Sequence, residues 1–179
     1  SVLWLQLPWY IYIFPVLAVI LQIIGLLRLI KLLKIHLHHI KSTWIRPVRI
    51  ILGLTFMALI IKFILQAGSL FPEISKLAFG FRSIVIAYLH LVLLGITTLF
   101  LLGYMLMQGY IPQIKLAITG LLLFSVGVFA NELILMVQGV TSFAYILIPY
   151  TNEMLLGVSI FMLFSLTLVL FSYRKKSNI

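Results

Sequence analysis

Five apolar runs of roughly 20 residues or more occupy most of the chain, at about 8–30, 47–67, 83–107, 113–137 and 153–173. A helix of about 20 residues crosses the ~30 Å hydrocarbon of a bilayer, and a span must satisfy its backbone polar groups internally. The runs therefore predict an all-α polytopic membrane bundle of five transmembrane helices, forming one domain over residues 1–179. Composition agrees: 64% of residues are hydrophobic and only 9% charged, with mean hydropathy +1.25, where a soluble domain carries about a quarter charged residues.

Thirteen Lys and Arg against three acidic residues give a net charge of +10. In a polar chain this would suggest nucleic acid, but these charges sit between apolar runs, so the expected counter-charge is anionic lipid and no nucleic-acid partner is read. Arg28, Lys31, Lys34, Lys41, Arg46 and Arg49 fall in the first connection, Lys115 in the third, and Arg174, Lys175 and Lys176 in the tail. Only Lys76 and Arg82 fall in the connections on the opposite side. The positive-inside rule then places the N-terminus outside and the C-terminus inside.

Two outer connections carry their own signals. In Phe71-Pro72-Glu73-Ile74-Ser75-Lys76-Leu77-Ala78-Phe79-Gly80, Pro72 and Glu73 suit a helix start and Gly80 a stop. Leu70, Ile74, Leu77 and Phe81 recur at helical spacing, so a short amphipathic helix is expected near 72–80. The uncharged connection 139–152, with Phe143, Tyr145, Pro149 and Tyr150, is expected to dip into the interface. Trp4, Trp9, Tyr10 and Tyr12 suit an interface at the start of the first span. The chain opens at Ser1 directly into an apolar run too long for a signal-peptide core, which reads as a fragment or processed chain with further transmembrane helices supplied from elsewhere.

Ionisable residues inside spans are costly and usually face a bundle interior. There are three here, Lys62, His90 and Glu132. Counted at 1.5 Å per residue from the outer ends they lie at depths of roughly 8, 11 and 8 Å. Gln66, Asn131 and Gln138 share this zone, and Asn152 and Glu153 start the fifth span at its rim. One polar layer built from four helices is expected. Helical spacing places Ser83, Ala87, His90, Leu94 and Thr97 on one face of the third span, and Thr55, Ala58, Lys62 and Gln66 on one face of the second. Gly120, Gly127, Asn131 and Gln138 recur on the fourth, where small residues allow close helix approach. Each polar residue has two readings. Lys62 either snorkels or pairs with Glu132. Glu132 either makes a structural hydrogen bond or relays protons, and His90 is either hydrogen-bonded structure or a metal or haem ligand.

Other chemistry is excluded by what the sequence lacks. Without Cys there are no disulfides, thiolate metal sites or iron–sulfur clusters, and without Asp no Ser-His-Asp triad. No phosphate-binding glycine motif is present, and no catalytic constellation is read. His36, His38 and His39 lie in a basic stretch with no nearby carboxylate or thiolate, which opposes cation binding and favours a solvated or lipid-facing role.

Phe79-Gly80-Phe81-Arg82-Ser83-Ile84-Val85-Ile86-Ala87-Tyr88-Leu89-His90-Leu91-Val92-Leu93-Leu94-Gly95 resembles a segment of bacterial polytopic proteins related to haem–copper oxidase subunit I and to NnrS-type haem and copper membrane proteins. Phe129-Ala130-Asn131-Glu132-Leu133-Ile134-Leu135-Met136-Val137-Gln138-Gly139 is similar to a second segment of that group, and together they cover about a sixth of the chain. The resemblance implies the C-terminal membrane half, or a subunit, of a haem- or copper-associated respiratory-type assembly in a bacterial inner membrane. It makes His90 the transferable ligand, for haem or copper, with Lys62, Asn131, Glu132, Gln138 and Glu153 as the surrounding polar groups or an ion path. The pattern departs from the oxidases in having a single intramembrane His and no His-Tyr arrangement, so oxygen reduction by this chain alone is not implied. The alternatives are a proton-coupled transporter of ions or small solutes, and a non-catalytic scaffold subunit.

Overall fold

The computed structural model describes residues 13–71, 82–143 and 148–177. Five helices of spanning length and composition follow one another: α1 (Ile13–Thr43), α2 (Arg46–Gly68), α3 (Arg82–Met107), α4 (Lys115–Phe143) and α5 (Thr151–Ser177). The expected amphipathic segment 72–80 and the aromatic residues before Ile13 lie outside the described residues.

The helix ends follow local chemistry. Pro47 in the first turn of α2 has no N–H to lose there, and the preceding Ile45 is extended at φ −61°, ψ 150°. α3 ends at Met107 because Gly109 takes φ +77°, a left-handed conformation costly for a side chain, while its N–H bonds the Leu106 carbonyl. α1 departs from expectation. Its apolar run ends in the charged stretch after residue 27, yet the helix continues through it to Thr43, since Arg, Lys, Leu and Ile sustain a helix and no Pro interrupts them. At 31 residues it is about 46 Å long, more than the hydrocarbon needs. α4 likewise runs six residues beyond its expected end at 137, which shortens the connection to α5.

Contacts at glycines give the register. A Cβ on Gly95 of α3 would lie 3.4 Å from that of Ala58 on α2, and one on Gly103 would lie 2.9 Å from Leu52 Cδ2 and 3.2 Å from Ile51 Cγ2. Gly139 of α4 faces Ile84 of α3, and Gly120 and Gly127 face Ser165 and Met162 of α5. Neighbours in sequence are thus antiparallel neighbours in space, with α4 against both α3 and α5. Because chain direction alternates, the inner ends of α1, α2, α3 and α4 and the tail of α5 gather at a basic end. The opposite end is called the far end below.

The main apolar core belongs to the basic half. Val48 and Ile51 of α2, Leu99 and Leu106 of α3, Leu121, Phe124 and Val128 of α4 and Val169 of α5 are buried in one cluster. α1 stands apart, with Val19 its one buried side chain among the described residues. Its surface is left to lipid or to further helices.

Candidate functional site

α3 is not a uniform helix. Leu91–Thr98 is wound as a π-helix, with the Thr97 and Thr98 hydroxyls donating to the carbonyls five residues back, Val92 and Leu93, at 3.0 and 2.8 Å. The wider turn overturns the face predicted from 3.6-residue spacing beyond His90. The buried stripe runs instead through Leu91, Gly95, Leu99 and Gly103, in steps of four. Thr97 is exposed, and Leu94 is partly buried against the core.

His90 is the last α-helical residue before this segment. Its ring is half-buried, and Nδ1 lies 2.9 Å from the Ile86 carbonyl. A carbonyl only accepts, so Nδ1 carries the proton, and in the neutral ring Nε2 keeps its lone pair.

The register brings the other polar residues to this level. Extending the Ile51–Gly103 and Ala58–Gly95 pairings toward the far end sets Lys62 level with about Leu91 and Gln66 with about Ala87. On the other side, Ile84 meets Gly139 and the Ser83 and Ser142 hydroxyls are 3.3 Å apart, which sets Glu132 level with about Leu91 to Leu93. Lys62, His90 and Glu132 therefore share a depth, as the sequence predicts.

Their surroundings differ. Glu132 is 8% exposed and Asn131 6%, and within this interior Glu132 Oε1 and Asn131 Nδ2 have no hydrogen-bond partner. Gln66 Oε1 is also buried without a partner. Lys62 does not pair with Glu132: it is half-buried, with Nζ 4.8 Å from the centroid of the adjacent Phe63 ring. Gln138 is half-buried one turn and a half toward the far end, where its backbone carbonyl accepts from Ser142 at 2.7 Å. Glu153 stays outside the layer, exposed in the first turn of α5, where a carboxylate favours the positive helix end. His36 and His38 are exposed on α1, and among the described residues no three His, Cys, Asp or Glu side chains come together as a metal site.

No family model, curated protein or solved structure matches the chain.

Proposed function

We propose that this integral membrane protein is the half or subunit of a haem-carrying membrane assembly, and that His90 would hold the haem iron through Nε2. The observation that carries this reading is the His90 ring. Ligating histidines commonly donate their second ring N–H to a backbone carbonyl, which fixes tautomer and orientation, and the bond to Ile86 has that form. Half-burial leaves the ring surface for a group held between α3 and further helices.

The donor set favours haem over copper. A porphyrin brings four nitrogens and asks one or two axial ligands of the protein, whereas a protein copper site needs several converging side chains. Among the described residues no such group of three exists, and any further ligand would come from elsewhere in the assembly. Haem would supply one-electron transfer. This chain would hold the ring nitrogen in place through Ile86, and Lys62 and Glu132 would set the charge of the same layer.

The test is the visible spectrum of the full-length protein, expressed with haem supply. Wild type should show a Soret band with sharp α and β bands on reduction. His90→Ala should lose them at unchanged membrane yield, because replacing His with Ala makes the span more apolar. A wild type without a Soret band, or a variant that keeps it at the wild-type ratio, refutes the assignment.

A further inference from the structure

The two halves of the bundle treat their buried polar groups differently. In the basic half every buried hydroxyl closes on its own helix: Thr55 donates to the Ile51 carbonyl, Ser125 to Leu121, Ser165 to Phe161 and Ser172 to Val169. These groups ask for nothing more, and the apolar core packs around them. In the far half a carboxylate oxygen and two amide atoms are buried and left open. An open polar group in hydrocarbon costs several kcal/mol by order of magnitude. Such groups persist where something fills them.

From Glu132 toward the far end the helices carry a polar series. It passes Gln66 and Gln138 to the hydroxyl pair of Ser83 and Ser142 near the ends of α3 and α4. Toward the basic end the next layers are Val128, Phe124, Leu121 and Leu99, all buried. The series has one open side.

We propose that Glu132 is a proton-binding carboxylate in exchange with the far side of the membrane only, with Asn131 as its polar neighbour. The step is simple: one carboxylate oxygen takes a proton from a far-side hydronium ion, whose O–H bond breaks to leave water as the carboxyl O–H bond forms. A metal cation is a poorer occupant, because hard cations take about six or more oxygens, and this layer offers one carboxylate and a few amide oxygens beside the positively charged Lys62 amine. The titratable or charged groups on the helices packed against α4 in this half are Lys62 on α2, Arg82, Tyr88 and His90 on α3, and Glu153 on α5. The inference does not depend on haem, and its readout is separate from the visible spectrum.

The sequence makes the test direct. The chain has no Asp and three Glu, so Glu73→Gln/Glu153→Gln leaves Glu132 as the sole side-chain carboxyl. Infrared difference spectra of this 179-residue variant, carrying carbon-13 glutamate in sealed vesicles, should show one protonated carboxyl per chain appearing on acidification. With the interior buffered, the band should follow external pH only in vesicles whose far end faces outward, the orientation being read from an impermeant label at Lys34→Cys. Adding Glu132→Gln should abolish it. A carboxyl that stays ionised or protonated throughout, that follows pH at the basic end, or that yields to sodium at fixed pH overturns the proposal.

Discussion

At the residue scale, Lys62, His90 and Glu132 put three ionisable side chains into apolar spans, where each is costly unless it faces the bundle interior. Lys62, His90 and Glu132 are visible as a layer from span-end counting alone. That Lys62 rests on Phe63 and makes no ion pair with Glu132 is a matter of side-chain placement, for which an i-to-i+4 pattern carries no signal. Gly109 was equally hidden, since Gly-Tyr-Ile-Pro reads only as a turn. Its φ of +77° leads to a prediction: Gly109→Ala should lower stability in detergent by about 1 to 2 kcal/mol, the penalty of a left-handed L residue. Gly109→Asn should recover part of that loss in the same thermal unfolding assay. Equal stability of all three proteins would remove the turn from any role in ending α3.

At the element scale, the sequence placed the helices well wherever an apolar run was bounded by charge or proline, as for α2 and α3. For α1 it marked the span and not the end of the helix, because loss of hydropathy ends a span without ending a helix. The small-residue stripe on α4 was legible and does its packing: Gly120 and Gly127 admit α5. A Cβ on Gly120 would sit 2.8 Å from the Ser165 carbonyl oxygen, which belongs to backbone and gives way poorly, whereas one on Gly157 would meet nothing within 4 Å. Gly120→Ala should therefore destabilise by roughly 1 to 3 kcal/mol. Gly157→Ala should be neutral or gain up to about 1 kcal/mol from helix propensity. Chemical denaturation in one detergent compares the two, and a Gly120→Ala protein as stable as Gly157→Ala would refute the close α4–α5 contact.

At the scale of the whole molecule, alternation of direction puts the basic connections at one end, and the positive-inside rule predicts the cytoplasmic side for that end. An impermeant thiol reagent added to intact cells should label Phe71→Cys and spare Lys34→Cys, both on an otherwise Cys-free chain. The reverse pattern would invert the topology. The division of the bundle into an apolar half and an open polar half was only partly legible. The polar residues of the far half stand out in the sequence, but Thr55, Ser125, Ser165 and Ser172 look equally polar there. Their hydrogen bonds to their own helices, which quench them, appear only in three dimensions.

The π-wound turns of α3 also bear on how this chain can change in length. A π segment accommodates a residue more than the α-helix would need between the same two ends. Losing one residue there, Ile96 for instance, should let the stretch close into ordinary α-helix with little penalty to the span itself. Both flanks would then keep their orientation, because the lost residue is the one the wider turns had absorbed. Ser83 and Ile84 would stay against α4, and His90 would keep the level it shares with Lys62 and Glu132. A single-residue deletion within Leu91–Thr98 should thus spare the site, whereas one in the α-wound turns on either side should rotate the far end by about 100° and separate Ile84 from Gly139.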